Sequence, residues 1–160
     1  MATSRGGWGV LRPVAAAAMS VGLCACGSSS GSAQSSSPGY EVRAASVSGV
    51  GTVLVDGSGY TLYLFEPDRQ STPSCSGSCT SAWPPLLLPA GASPKAGSGA
   101  HPSLVGEVRR PDGSDQVTYD RWPLYRWVGD TRPGIATGQG LDNFGGLWYV
   151  VSPDGAAVKS

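Results

Sequence analysis

Histidine occurs once in this chain, at His101, and methionine only at Met1 and Met19. Those scarcities exclude several chemistries before any motif is sought. A blue-copper centre takes two histidines and a cysteine. Haem attachment uses Cys-x-x-Cys-His, which is absent. A closed zinc site takes four Cys or His ligands, and past residue 26 only Cys75, Cys79 and His101 are available. No metal and no cofactor is expected. His101 lies beside Pro102 and reads as an exposed surface histidine, which leaves a Ser/His/Asp triad without a positioned base. No phosphate loop and no strand-to-helix nucleophile elbow is present.

Charge of one sign is also missing. Lys plus Arg is 11 and Asp plus Glu is 11, so the basic excess of a nucleic-acid binder is absent. No run carries apolar residues at helical spacing, and 24 glycines and 13 prolines punctuate the chain. Both residues break helix interiors, which argues against a bundle. Four cysteines are too few for a disulfide-dense scaffold.

What is present begins with an address. Arg5 and Arg12 precede an apolar run of ten residues, Val14 to Leu23. That is too short to span a bilayer but suits a secretory signal peptide over residues 1–25. Leu23-Cys24-Ala25-Cys26 fits a bacterial lipobox, with Leu three residues before the cysteine and a small residue just before it. The expected lipidation site is Cys26; Cys24 fits less well because bulky Leu23 precedes it. Residues 26–39 are rich in Ser and Gly and read as a flexible tether. The thirteen residues from Gly27 to Gly39 span roughly 20 Å root-mean-square. Without Arg5 and Arg12 the chain carries nine basic residues against 11 acidic ones, with no polybasic run. Membrane attachment is therefore expected from lipid at Cys26, on the outer face of the cell membrane.

Residues 40–160 read as a folded β domain, all-β and mainly antiparallel, with little helix. Thr52 to Val55 and Tyr60 to Phe65 flank the turn Asp56-Gly-Ser-Gly59, a hairpin signal. Glu107 to Arg110 and Gln116 to Tyr119 flank Pro111-Asp-Gly-Ser-Asp115. Pro123 to Trp127 reads as a further strand, and Leu147 to Val151 and Ala156 to Val158 flank Ser152-Pro-Asp-Gly155. Asp112-Gly-Ser-Asp115 offers oxygens but lacks the twelve-residue calcium loop.

Two segments repeat one pattern. Tyr63-Leu-Phe65-Glu-Pro-Asp68 and Tyr125-Arg-Trp127-Val-Gly-Asp130 are both Tyr-x-aromatic-x-x-Asp, 62 residues apart. Trp83 follows Asp68 by 15 residues, and Trp148 follows Asp130 by 18. Two sub-repeats are expected, about 51–88 and 106–155, joined by a long and mobile loop over 89–103. With the Cys75/Cys79 pair, Trp83-Pro-Pro85 and Leu147-Trp-Tyr149, these residues resemble the bacterial secreted-repeat lipoprotein family described by the Tyr-x-(Phe/Trp/Tyr)-x-x-Asp motif. The resemblance implies an exported, repeat-built domain and no established activity.

Three chemistries are open to these residues. Residues i and i+2 of a strand share a face, so Tyr63 with Phe65, and Tyr125 with Trp127, are core aromatics or, if exposed, a ligand platform. Trp83 and Trp148 join them as candidate contacts. Asp68 and Asp130 read first as turn caps. As a carboxylate pair in an open cleft they would instead serve a hydrolase. Cys75 and Cys79, in an exported chain, read as a structural disulfide, with an extracytoplasmic redox or electron-transfer dithiol as the alternative. The arginines Arg109, Arg110, Arg121, Arg126 and Arg132 are expected on a solvated face, pairing with Asp120 and Asp130. The preferred reading is a non-catalytic envelope module whose partner is a cell-surface polymer or an envelope protein.

Overall fold

A computed structural model describes residues 38–68 and 71–159. The expected signal peptide, Cys26 and most of the expected tether lie outside the described residues. The described residues form ten short strands and one turn of α-helix. The first half carries β1 (Glu41–Val47), β2 (Gly51–Asp56), β3 (Tyr63–Phe65), α1 (Ser78–Ala82) and β4 (Leu87–Leu88). β5 (Lys95–Ala96) and a 3-10 turn, Pro102–Leu104, lead to the second half. There follow β6 (Val105–Arg109), β7 (Asp115–Tyr119), β8 (Trp122–Pro123), β9 (Asp142–Asn143) and β10 (Gly146–Val150). All strand pairs are antiparallel except β1 with β5.

The turns form where side chains can replace backbone partners. Asp56 Oδ1 accepts the amides of Ser58 at 2.8 Å and Tyr60 at 3.0 Å, which closes the turn after β2. Asp112 Oδ1 accepts the Ser114 amide at 2.9 Å and its hydroxyl at 2.6 Å between β6 and β7. Gly113, with φ 85, supplies the left-handed residue that the turn needs. The Ser152–Gly155 turn is closed by the Ser152 hydroxyl, which accepts the Ala156 amide at 3.2 Å.

Each half hands its last segment to the other. β4 of the first half pairs with β7 of the second, Leu87 opposite Gln116. β10 of the second half pairs with β3 of the first, Trp148 opposite Phe65. The Val117 amide donates to the Leu86 carbonyl and the Leu54 amide to the Val151 carbonyl, both at 2.8 Å. Between the halves, Tyr63 and Tyr125 exchange both backbone hydrogen bonds at 2.9 Å. The arrangement is pseudo-twofold, with that pair at its centre. Both buried clusters accordingly mix the halves. One is mainly aliphatic, with Leu54, Leu62, Leu64, Leu86, Val117 and Leu124 around buried Tyr119. The other holds the motif aromatics and the cysteines.

Three local expectations are corrected. The segment 89–103 is tied down: β5 covers the open edge of β1, and the Gly97 amide donates to the Val42 carbonyl at 2.7 Å. An uncovered strand edge leaves a row of unpaired backbone groups, and this segment satisfies them. Residues Pro123 to Trp127 form no continuous strand. Only β8 pairs regularly, and Tyr125 bridges singly to Tyr63 and Pro85. The arginines do not pair with Asp120 and Asp130. Arg109 pairs with Asp115 at 2.7 Å, Arg126 pairs with buried Asp56, and Arg110 is itself buried.

Candidate functional site

The two motif copies lock each other. Tyr63 Oη donates to Asp130 Oδ2 at 2.6 Å, and Tyr125 Oη donates to Asp68 Oδ2. The tyrosine of each half thus binds the aspartate of the other. The second oxygen of each carboxylate holds its own downstream loop. Asp68 Oδ1 accepts the Ser74 amide at 2.6 Å and its hydroxyl at 2.5 Å. Asp130 Oδ1 accepts the Thr137 amide at 2.7 Å and its hydroxyl at 2.8 Å. Burial pushes both phenols well above the usual tyrosine range; the hydrogen bond and charge of Asp130 add for Tyr63, and the charge of Asp68 for Tyr125. Burial also raises Asp68, against the hydrogen bonds from Ser74 and Tyr125 and the charge of Arg110.

Four rings form one stack beside these locks. Phe65 lies on Trp148 at 4.2 Å between centroids, Trp148 on Trp83 at 3.9 Å, and Trp83 on Trp127 at 4.3 Å. The two central indoles are nearly parallel, 3° apart. Tyr63 meets Trp83 edge-on at 5.3 Å and Tyr125 meets Trp148 edge-on at 5.2 Å. The order again follows the pseudo-twofold. Gly138 makes room for it: a Cβ there would stand 2.7 Å from the Trp83 ring and 3.1 Å from Trp127. Gly138→Ala is therefore expected to cost about 1–3 kcal/mol through overpacking. Urea unfolding checks this, and unchanged stability would mean that the stack yields at this point.

The halves differ at the Asp68 end. Buried Arg110 donates from Nη1 to Gln116 Oε1 at 2.6 Å and from Nη2 to the Cys75 carbonyl at 2.7 Å. Cys75 and Cys79 form a disulfide with their Cα atoms 5.4 Å apart, at the start of α1. Both cysteines are buried, which shields the sulfurs from attack by an external thiolate.

The chemically mixed surface lies elsewhere. A cavity of about 420 Å³ is lined by Leu64, Glu66, Asp120, Arg121, Trp122 and Lys159 among others. Lys159 pairs with Glu66 at 2.6 Å and stands 5.3 Å from the centre of the Tyr149 ring. Asp120 and Arg121 form the two-residue turn between β7 and β8, with φ of 45° and 66°. Glycine, asparagine and aspartate are the usual occupants of that conformation, so Arg121 is the unusual residue of the pair. The Arg121 carbonyl accepts the Ser71 amide at 3.0 Å, which helps hold the turn.

The model of a family described as a secreted repeat of unknown function matches residues 45–87 and 106–152. The two stretches cover more than half of the chain, and each contains one motif copy. The chain belongs to this family. No curated protein and no solved structure matches it.

For this secreted repeat, the candidate contacts Tyr63, Phe65, Trp83, Tyr125 and Trp148 are all buried, and Trp127 is half-buried. They are core and not a ligand platform, because stacking in the interior removes far more ring surface from water than a surface shelf would. Asp68 and Asp130 are buried as well, each held by a tyrosine and a downstream hydroxyl. Carboxylates so engaged do not form the open acid–base pair of a hydrolase. The cavity residues were not among the candidates. Their signal in sequence is faint: a Tyr119-Asp-Arg-Trp122 string whose turn lacks the usual glycine.

Proposed function

We propose that this secreted repeat is a non-catalytic binding module, held at the outer face of the cell membrane by lipid on Cys26, that receives a neutral sugar ring of an envelope polymer beside Trp122. The observation that carries the reading is the composition of the cavity. An indole stands among Glu66, Asp120, Arg121 and Lys159, two charges of each sign. A neutral sugar offers an apolar face for the indole and hydroxyls for carboxylates and guanidinium alike. Charges that balance favour neither an anionic nor a cationic polymer. The left-handed Asp120-Arg121 turn supports the reading, since backbone strain of about 1–3 kcal/mol collects where geometry serves binding. The lipobox ending at Cys26 supports the anchor.

The test uses detergent-extracted full chain. Intact mass is expected to show diacylglycerol on an N-terminal Cys26; an unmodified or differently cleaved N-terminus would remove the anchor. Retention on insoluble envelope polysaccharide is expected to fall about tenfold in Trp122→Ala, roughly 1.4 kcal/mol. Arg121→Gly is expected to weaken binding while raising stability by about 0.5–1 kcal/mol, because glycine relieves the strained turn. Undiminished retention in both variants would place binding elsewhere.

A further inference from the structure

The aromatic interior has a property that does not rest on the cavity. The four-ring stack runs from buried Phe65 to half-buried Trp127, with ring centroids 4.2, 3.9 and 4.3 Å apart. Indoles are the middle and the outer end of this stack. A tyrosine touches each central indole, Tyr63 on Trp83 and Tyr125 on Trp148. Each phenol already points its proton at a buried carboxylate.

We propose that this core is a one-electron relay, in which an outer-sphere one-electron oxidant draws an electron through Trp127 and the vacancy settles on Tyr63 or Tyr125, with the phenolic proton passing to Asp130 or Asp68. Indole and phenol are among the most easily oxidised side chains, and electron exchange between π systems is fastest when the rings touch. Trp127 loses an electron to the oxidant and regains one from Trp83. Trp83 is refilled by Tyr63, directly, or by Tyr125 through Trp148. No covalent bond between heavy atoms changes. The O–H bond of the phenol breaks and the O–H bond of the carboxylic acid forms. The products are the reduced oxidant, a neutral tyrosyl radical and a neutral carboxylic acid.

Charge favours this end state. Before oxidation the interior holds a carboxylate; afterwards that carboxylate is neutral. A buried ion is costly and its neutralisation is favourable in a low-dielectric interior. A tyrosine cation radical would have nowhere to send its proton in an apolar core, and here a carboxylate oxygen lies 2.6 Å from the Tyr63 hydroxyl. Burial keeps both phenols protonated up to strongly alkaline pH, so electron and proton leave together. A one-electron reductant reverses the sequence, and the aspartate returns the proton. The pseudo-twofold gives the stack two such endpoints. For an exported protein the substrates implied are oxidising radicals and other one-electron oxidants outside the cytoplasm.

The experiment is flash photolysis of the detergent-extracted full chain with a ruthenium polypyridyl complex and a sacrificial electron acceptor. Transient absorption and electron paramagnetic resonance identify the radical. In the wild type a long-lived tyrosyl radical is expected. In the variant carrying Tyr63→Phe and Tyr125→Phe, its yield is expected to fall about tenfold, with a tryptophan radical in its place. The other tyrosines supply the background that this variant measures. Trp127→Phe keeps both phenols and touches only the outer ring; it is expected to slow tyrosyl formation about tenfold. That second variant decides the matter if the first does not fold. An unchanged tyrosyl yield in the folded double variant, or an unchanged rate in Trp127→Phe, would overturn the relay. The binding-module reading is untouched by either result.

Discussion

Cleaved at Gly99, the chain is expected to be unfolded as two separate fragments and folded when they are mixed. The prediction follows from the exchange of segments. The first fragment would keep the β1–β2 hairpin and β5. It would lose β10, the partner of β3, and the Val151 carbonyl that receives the Leu54 amide. Tyr63 would lose Asp130, and Trp83 would lose Trp148 and Trp127. The second fragment would keep β6, β7 and β8 but lose β4, Phe65 and Asp68. An isolated hairpin is marginal in water, and a buried carboxylate without its donor costs more than the hairpin gains. Circular dichroism and urea titration of each fragment, then of the equimolar mixture, check the outcome. Cooperative unfolding of either fragment alone would show that a half is a domain in its own right. The mixture should fold with a midpoint that rises with concentration, since joining two chains pays association entropy that the intact chain does not.

The same exchange explains what could be read along the chain and what could not. The turns at Asp56 and Asp112 were legible because their chemistry is local: an Asp side chain, a glycine and an amide two residues on. The β class was legible from the alternation and the lack of helical periodicity. α1 was not, because a helix of five residues is shorter than the pattern that would reveal it. Asp68 and Asp130 were half legible. Their role as loop caps is local and holds, through Ser74 and Thr137. Their bonds to Tyr125 and Tyr63 span 57 and 67 residues, and nothing within either motif copy specifies that distance. The aromatics carried the right residues and an ambiguous role. Tyr63 and Phe65 share a strand face in either reading, and only the apposed half decides that this face is interior. The Asp120-Arg121 turn stayed hidden because Arg121 stands where glycine is the usual residue and is a poor former of the conformation that it adopts.

Removing one phenolic hydroxyl is expected to destabilise the fold by about 2–3 kcal/mol near neutral pH, because a buried carboxylate loses a charge-assisted hydrogen bond. The effect should be larger in Tyr63→Phe than in Tyr125→Phe. After Tyr125→Phe, Asp68 keeps the Ser74 amide and hydroxyl, and the positive charge of buried Arg110 also favours its ionised form. After Tyr63→Phe, Asp130 keeps, among the described residues, only the corresponding bonds from Thr137. The size of both effects should change with pH. Both phenols are raised from the ordinary value of 10.0 in the folded chain. Their contribution is therefore whole below that pH and is lost as pH climbs from there toward the folded values, because only the unfolded chain releases these two protons. The wild type should lose stability steeply above about pH 10, and the double Tyr→Phe variant should lose less. Urea unfolding across the neutral-to-alkaline range gives the stabilities, and tyrosinate absorbance counts the protons released on unfolding. Tyr125→Phe proving the costlier change would mean that Arg110 does not stabilise the Asp68 carboxylate. Equal alkaline slopes in wild type and double variant would mean that these two hydroxyls reach solvent in the folded chain, and that the crossed locks open without unfolding.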